Sequence, residues 1–230
     1  YDLTGEDITI FQYEPASAFE HDDFQGRINK RELFQDNNQD NIDHATHVAG
    51  IMVGDGTRNN SYRGIATKSE VIAYESDIQL ALELEYEYEK AVILYGSDLA
   101  SNSFGITPTT PNCEDLGDYT TISRSLDNLI NGNLFTKKIP VIFSNGNERN
   151  IGCSSAYNTS QPLASAKNVI AVGNVNSNDK SIYTTSSWGP TDDGRIKPDV
   201  VAPGCQVGGD GGITATNISN GYTSMCGTSF

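Results

Sequence analysis

The sequence predicts an α/β domain with a parallel central sheet and helices on both of its faces. Strand-like segments alternate with amphipathic, helix-like segments along the chain, as in proteins of this class. One segment, residues 139–144, is almost wholly apolar, as expected of a strand in the middle of a parallel sheet. The chain has 230 residues, which is enough for one sizeable domain with a single core.

The elements can be assigned in order from the spacing of the apolar residues. Residues 7–11 give the first strand, and a helix with a face of small apolar residues begins at His44. The helix over residues 78–95 has apolar residues at helical spacing and ends before Gly96, a typical C-terminal stop. The predicted strands are 7–11, 70–74, 98–103, 139–144 and 168–172, and the predicted helices are 44–53, 78–95 and 119–131.

The composition is that of a folded and strongly acidic protein. Hydrophobic residues make up 37% and charged residues 20% of the chain, and the formal net charge is −15. An acidic surface repels nucleic acid and anionic membranes, so we expect neither as a partner. No apolar run approaches the length of a membrane span. No signal peptide is visible before the first strand-like stretch, so we expect any leader to have been removed.

The cysteines indicate disulfide bonds. The chain has four cysteines, at positions 113, 153, 205 and 226, and they form no C-x-x-C pair, which argues against a zinc site. An even number in loop-like contexts is typical of a secreted protein. Three pairings are open, and we expect Cys205–Cys226 and Cys113–Cys153.

Two histidines lie in one short stretch at the predicted start of a helix. His44 and His47 are three residues apart, and the chain has three histidines in all. They could bind a metal ion together, although no third ligand is evident, or they could be packed polar residues. One of them could instead be a general base, because imidazole titrates near neutral pH.

Two further stretches carry polar residues of catalytic types. Asn147 follows an apolar strand and Gly146, which indicates a turn or, in a hydrolase, an amide directed at a developing oxyanion. Ser229 follows Gly227 and Thr228, so its approach is uncrowded, as a nucleophile requires. A Gly-Thr-Ser triplet alone is a weak signal.

In this order, the stretches resemble the motifs of the subtilisin-like serine proteases, or subtilases. Residues 44–50, HATHVAG, are similar to the family's histidine motif, residues 144–147, SNGN, to its asparagine region, and residues 227–229, GTS, to its nucleophile segment. Residues 101–105, SNSFG, resemble the substrate-binding strand, and residues 186–204 resemble the segment leading to the serine. The resemblance covers the whole chain and implies a three-layer, subtilisin-like fold and a secreted serine endopeptidase that forms an acyl-enzyme.

The resemblance also implies a role for each matching residue. His44 would be the general base, Ser229 the nucleophile, Asn147 an oxyanion donor beside the Ser229 N–H, and His47 a structural residue. An extended protein or peptide substrate would pair with an edge strand. That strand would comprise Ser101, Asn102, Ser103, Phe104 and Gly105.

Two further expectations follow from the family. The pocket for the substrate side chain before the scissile bond would lie between residues 101–105 and residues 147–152. Calcium is a common structural ion in the family, and the acidic composition permits it. No stretch has ligand spacing specific enough to name a calcium site, so we assign no metal ligand.

The sequence departs from the family pattern at the acid. The family has an Asp at the end of the first strand, and alignment of that strand places Glu14 there without a following glycine. Glutamate can serve this role, but its extra methylene moves the carboxylate by about an ångström. Ala45 also replaces the usual glycine of the histidine motif. The other candidate acids are Asp22, Asp23, Asp40 and Asp43.

The position of Ser229 near the end of the sequence gives a last expectation. In the family, the nucleophile begins a long buried helix, so residues 1–230 would be a peptidase domain whose remainder is supplied elsewhere, for instance by a second chain. Two alternatives to an active protease stay open. One is a catalytically impaired pseudoprotease that binds or regulates another protein, and the other is an unrelated acidic α/β binding domain.

Overall fold

The fold is organised around a seven-stranded parallel sheet. The computed structural model describes residues 3–32, 35–76, 81–105, 113–132, 137–150, 158–209 and 211–230. The strands are β1 (Thr9–Glu14), β2 (Ile28–Lys30), β3 (Glu70–Glu75), β4 (Leu99–Asn102), β5 (Val141–Ser144), β6 (Ile170–Asn176) and β7 (Val200–Cys205). Their order is β2-β3-β1-β4-β5-β6-β7, and each pairing is parallel. The predicted α/β class is therefore confirmed.

Helices cover both faces of the sheet. Side chains along a strand alternate between the two faces, so one strand can contribute to a core on each side. The helices are α1 (Gln39–Val53), α2 (Ala81–Glu89), which continues as a π-helical turn (Lys90–Leu94), and α3 (Thr121–Ile130). In β1, Phe11 and Tyr13 join a core that includes Tyr88 of α2. Ile10 joins a second core with Val53 of α1. The two cores give the three-layer architecture.

Helix α1 begins five residues before its predicted start, at Gln39 instead of His44. Its N-cap is Asn38, whose side chain accepts hydrogen bonds from the N–H groups of Asp40 and Asn41. His44 therefore lies in the second turn of the helix, where a full turn of backbone precedes it. The sequence did not predict this start, because the first turn is polar and the helical spacing of apolar residues begins only after it.

Several strands fall outside the predicted set. Strand β2 has only three residues, and β7 contains Pro203 and Gly204, which weaken a strand signal. Strands β8 (Ile213–Thr216) and β9 (Tyr222–Met225) form a separate antiparallel hairpin. The hairpin packs on α1, so the chain just before Ser229 is held against the helix that carries His44.

The prediction that residues 101–105 form an edge strand is wrong. Ser101 and Asn102 belong to β4, which pairs with β1 on one side and with β5 on the other. Ala100 in this strand is fully buried, as expected in the centre of a sheet. Ser103, Phe104 and Gly105 continue beyond the carboxyl end of β4, so their backbone is free of sheet pairing.

One predicted disulfide bond is present, between Cys205 at the end of β7 and Cys226 after β9. Their Cα atoms are 4.6 Å apart. Cys153, which belongs to the other predicted pair, lies outside the described residues. Over the described ranges, no helix is long and apolar enough to cross a membrane.

Candidate active site

A buried carboxylate faces one histidine at the carboxyl edge of the sheet. Glu14 is the last residue of β1, and its side chain is 1% exposed. Its Oε2 lies 3.3 Å from Nδ1 of His44, and its Oε1 accepts a hydrogen bond of 2.7 Å from the Ser103 N–H. The carboxylate thus connects the ends of β1 and β4 to helix α1.

Glu14 changes the protonation of His44. Burial of the imidazole would lower the pKa of His44, but the contact with Glu14 and its negative charge outweigh this effect. The pKa of His44 is therefore raised above its usual value. The negative charge 3.3 Å from Nδ1 favours the tautomer of the neutral ring that carries its proton on this nitrogen, in which Nε2 is the basic atom.

Ser229 lies in the same cavity as His44, but its hydroxyl is turned elsewhere. Ser229 Oγ donates to the Ser103 carbonyl oxygen at 3.2 Å, and Ser103 Oγ donates to the Ser229 carbonyl oxygen at the same distance. Both His44 and Ser229 line a cavity of about 300 Å³. Among the hydrogen bonds of the described residues, none joins the Ser229 hydroxyl to the imidazole.

Asn147 lies close to the backbone that presents Ser229. Its Oδ1 accepts a 3.0 Å hydrogen bond from the Thr228 N–H, and Thr228 Oγ1 accepts a 3.2 Å bond from the Gly146 N–H. Among the hydrogen bonds of the described residues, none uses the amide nitrogen of Asn147, so this nitrogen is available as a donor. The Ser229 N–H likewise donates to no described residue, so two unused donors lie near the hydroxyl.

Three of the five predicted substrate-binding residues border the cavity. Ser103, Phe104 and Gly105 line it, whereas Ser101 and Asn102 lie within the sheet. The side chain of Asn102 accepts a hydrogen bond from the Tyr88 hydroxyl and donates to the Ile142 carbonyl. Asn102 is therefore engaged in the core and does not face a substrate.

The other histidine of the motif, His47, is fully buried and structural in its contacts. Its Nε2–H donates to the carbonyl oxygens of Ile213 and Thr223, at 2.9 and 3.2 Å, which ties the β8–β9 hairpin to α1. Burial lowers the pKa of His47 to about 4, so the ring is neutral at physiological pH. The Phe230 ring packs on it edge-on, with the ring centroids 4.5 Å apart.

The four alternative acids form no ion pair with His44. Asp22 pairs with Arg58, and the buried Asp23 accepts a hydrogen bond from the Tyr222 hydroxyl. Asp43 accepts a hydrogen bond from the Ile218 N–H, although its charge also favours the protonated form of His44. Asp40 lines the cavity without pairing with the ring. Of these five candidate acids, Glu14 is thus the one whose carboxylate directly contacts the His44 ring.

Glu148 and Gln161 also border the cavity. Glu148 belongs to residues 147–152, which were predicted to line the substrate pocket, whereas Gln161 was missed. Glu148 follows Asn147 directly, so its place was open to inference from the predicted strand end. Gln161 lies in a stretch without a strand or helix signal, and only the folded chain places it near Gly146. Among the described residues, no group of three or more His, Cys, Asp or Glu side chains is arranged to hold a metal ion.

The fold and this site define the class of the protein. It is an α/β protein with a parallel sheet. A serine and a histidine line one cavity at the carboxyl edge, and a buried carboxylate contacts the histidine from behind; these are the residue types of a serine hydrolase. The chain belongs to the subtilase family: residues 9–230 match the family model of peptidase S8, described as the subtilase family.

Similar proteins agree with this assignment. The chain is 28% identical to the thermophilic serine proteinase of Bacillus sp. (strain AK1), over 98% of this chain and 49% of that protein. It is 25% identical to the serine protease AprX of Bacillus subtilis (strain 168), over 89% of this chain and 48% of that protein. The chain therefore spans about half the length of these curated relatives.

A solved structure shows the same fold. The CspB protease of Clostridium perfringens superimposes with a TM-score of 0.77 at 16% identity, over the whole of this chain and 81% of that one. A cold-adapted subtilisin-like serine proteinase superimposes with a TM-score of 0.67 at 18% identity, over 99% of this chain and 72% of that one. At these identities, the likeness concerns the fold alone.

Proposed function

We propose that the protein is a serine endopeptidase that hydrolyses extended protein or peptide substrates. The observation that carries this proposal is the Glu14–His44 contact of 3.3 Å beside a cavity that also contains Ser229. A serine hydroxyl is a weak nucleophile until a base accepts its proton, and a carboxylate behind the base stabilises the imidazolium that forms.

The proposed reaction proceeds in two halves. Nε2 of His44 takes the proton of Ser229 Oγ, and Oγ bonds to the carbonyl carbon while the carbonyl electron pair moves onto oxygen. That oxyanion receives hydrogen bonds from the Ser229 N–H and the Asn147 amide. The intermediate collapses, His44 returns the proton to the leaving amine, and an acyl-enzyme remains. Water then attacks the ester by the reverse roles and releases the acid product.

One change of side-chain torsion precedes this reaction. The Ser229 hydroxyl that donates to the Ser103 carbonyl must rotate towards Nε2 of His44. Staggered rotamers of serine interconvert readily, so the rotation is a small barrier compared with the chemical step. A peptide N–H that bonds to the Ser103 carbonyl would displace the hydroxyl, which favours the rotation when substrate binds.

The proposal is tested by hydrolysis of an unfolded protein and of quenched fluorescent peptides by the intact protein. We expect cleavage by the wild type and loss of cleavage in Ser229→Ala and His44→Ala. The Ser101→Ala variant is a control, because Ser101 lies within β4 and does not line the cavity. Cleavage that persists in Ser229→Ala would show that another group, or another enzyme, is responsible.

A second candidate function is a pseudoprotease, which binds proteins with little or no turnover. The observation that favours it is the pairing of the Ser229 hydroxyl with Ser103 in place of His44. The two candidates differ in one outcome, because a pseudoprotease binds peptides without cleaving them. Repeated turnover of a peptide by the purified wild type would exclude this function.

We further propose that the protein acts outside the cytoplasm. The support is the Cys205–Cys226 disulfide bond, since such bonds form and persist mainly in oxidising compartments. Fractionation of the producing cells, followed by detection of the protein in each fraction, tests this location. Recovery in the cytoplasm with both cysteines reduced would contradict it.

A further inference from the structure

Two reciprocal hydrogen bonds join Ser229 to Ser103. Ser103 Oγ donates to the Ser229 carbonyl oxygen, and Ser229 Oγ donates to the Ser103 carbonyl oxygen, both at 3.2 Å. The two residues are 126 positions apart in the sequence, so only the fold brings them together. Because both bonds join the same two residues, each bond holds the groups of the other in place. The proposed reaction assigns no role to the Ser103 hydroxyl.

The main chain of Ser103 is fixed independently of Ser229. Ser103 directly follows β4, which pairs with β1 and β5, and the residue is 9% exposed. Its N–H donates to Oε1 of Glu14 at 2.7 Å, and the same carboxylate contacts His44. The Ser103 carbonyl is therefore a stationary acceptor, and the Ser229 hydroxyl can leave it only by rotating away.

The hydroxyl that is engaged in this pair is not available to the base. A serine hydroxyl has one hydrogen to donate, and that of Ser229 is directed at Ser103. A general base removes a proton only from a group within hydrogen-bonding reach of it. Both His44 and Ser229 line the cavity, so a rotation of the hydroxyl separates this arrangement from a reactive one.

From these contacts we infer that the side chain of Ser103 is a positioning residue that holds Ser229 in an inactive resting conformation, from which a bound peptide releases it. A peptide N–H that takes over the Ser103 carbonyl breaks one bond of the pair, and the hydroxyl then turns to Nε2 of His44. The ligand thus selects the reactive conformation. This inference rests on the proposed peptidase function and specifies how its nucleophile is regulated.

The Ser103→Ala variant isolates the contribution of the hydroxyl. It removes Oγ but keeps the main-chain N–H that binds Glu14 and the carbonyl that accepts from Ser229. Loss of one intramolecular hydrogen bond shifts an equilibrium by about two- to tenfold. We therefore expect a fluorophosphonate to label Ser229 faster by about this factor in Ser103→Ala than in the wild type. Equal or slower labelling of the variant would overturn the inference.

Peptide hydrolysis gives a second signature of the resting conformation. The apparent affinity for a ligand falls with the fraction of protein that is competent to bind it, and a variant that raises this fraction binds more tightly. We expect Ser103→Ala to lower KM by about two- to tenfold at unchanged kcat, because the pair is already open in the substrate complex. A merely structural role of Ser103 would instead lower kcat, and an unchanged KM would also contradict the inference.

Two control variants accompany these measurements. Ser101→Ala makes the same change two residues earlier, within β4 and away from the cavity, so its constants should equal those of the wild type. Ser103→Thr keeps a hydroxyl at the same position and should keep the wild-type KM and labelling rate. Urea denaturation checks that each variant is folded. A KM that falls equally in Ser101→Ala or in Ser103→Thr would contradict the inference.

Nuclear magnetic resonance of the histidine rings observes the same rotation without any reaction. The chain has three histidines, so the ¹⁵N resonances of the rings can be assigned by substitution. At alkaline pH, where the His44 ring is neutral, its Nε2 resonance should move upfield in Ser103→Ala, because Nε2 then accepts the Ser229 hydroxyl. The shift should vanish in Ser103→Ala/Ser229→Ala. An Nε2 resonance that is the same in the wild type and Ser103→Ala would overturn the inference.

These measurements separate the inference from the proposed function. The expected change of the Nε2 resonance supports the resting conformation even if no variant hydrolyses a peptide or reacts with a fluorophosphonate, an outcome that would refute the peptidase function alone. Conversely, hydrolysis that requires Ser229, with the same KM, labelling rate and Nε2 resonance in the wild type and Ser103→Ala, overturns the inference and leaves the proposed function intact.

Discussion

Glu14 connects three segments of the candidate site through its buried carboxylate. Its carboxylate reaches both the Ser103 N–H and the His44 ring from the end of β1, at 2.7 and 3.3 Å. Sequence alignment could assign the position of Glu14, but only the folded chain gives these distances, because they depend on how α1 packs on the sheet.

The first prediction concerns the pH dependence of activity. The base must be neutral, so kcat/KM rises with pH through the pKa of His44, which Glu14 holds above its usual value. In Glu14→Gln, the raising charge is lost while the burial of the ring remains. We therefore expect the acid limb of the pH profile to move to lower pH and kcat to fall about a hundredfold or more, measured by initial rates from pH 4 to 9.

Glu75→Gln is the matched control for this prediction. Glu75 ends β3 opposite Glu14 in the sheet and is also buried, but its carboxylate accepts hydrogen bonds from the N–H groups of Ser17 and Asp36. Its replacement should change stability without moving the acid limb. An acid limb that moves in Glu75→Gln, or stays in place in Glu14→Gln, would refute the assignment of Glu14.

The second prediction concerns Asn147. If its amide nitrogen stabilises the oxyanion, Asn147→Ala should lower kcat by about a hundredfold or more with little change in KM, the scale established for one such donor in subtilisin. Steady-state kinetics on one peptide give both constants. A rise in KM at constant kcat would indicate instead that Asn147 binds the ground state of the substrate.

At the scale of elements, the β8–β9 hairpin connects stability to the site. It packs on α1 through His47 and leads directly to the segment of Ser229. Any loosening of this hairpin would move Ser229 relative to His44. Two predictions follow for the groups that hold it.

The first of these two predictions concerns His47 and the stability of the protein at acidic pH. Its pKa is about 4 in the folded protein and near 6.5 in the unfolded chain, so the unfolded state binds more protons between these values. The free energy of unfolding should therefore decrease as pH falls from 6.5 to 4, by up to about 3 kcal/mol from this group. His47→Gln retains a donor without titrating, and its urea denaturation should show less acid destabilisation than the wild type.

For each protein, the free energy of unfolding at pH 4.5 is compared with that of the same protein at pH 7. Any packing cost of His47→Gln against Phe230 appears at both pH values and cancels. Equal losses of stability on acidification in the two proteins would exclude His47 as the titrating group.

The second concerns the Cys205–Cys226 bond, which joins the end of β7 to the segment after β9. Its sequence separation is 21, for which chain entropy predicts a stabilisation of about 3 kcal/mol. The double variant Cys205→Ser/Cys226→Ser should lose about this much in urea denaturation. An unchanged midpoint and slope would show that the hairpin is held by packing alone.

Sequence patterns predicted the main strands and helices better than they predicted which strands lie side by side in the sheet. The strands β1, β3, β5 and β6 follow from apolar runs, as does the helix α3. Strand β2 and the hairpin were missed, because short strands and edge strands carry little periodic signal. The central position of β4 was missed for another reason: the order of strands in a sheet depends on packing, which a single strand's residues do not encode.

At the scale of the whole molecule, the sheet assembles the site from distant segments. Glu14 and Ser103 come from the ends of two neighbouring strands, His44 from α1, and Ser229 from the end of the described chain. The motifs of the sequence predicted these residues individually. Gln161 could not be predicted in the same way, since only the folded chain places it near Gly146.

The most direct test of the central claim is covalent labelling of the intact protein with a fluorophosphonate, followed by peptide mass spectrometry. This reagent reacts with a serine only when a neighbouring base activates it. We predict one adduct, on Ser229, that is abolished in Ser229→Ala and strongly slowed in His44→Ala and Glu14→Gln. Absence of an adduct on Ser229, or labelling at the same rate in His44→Ala, would contradict the account.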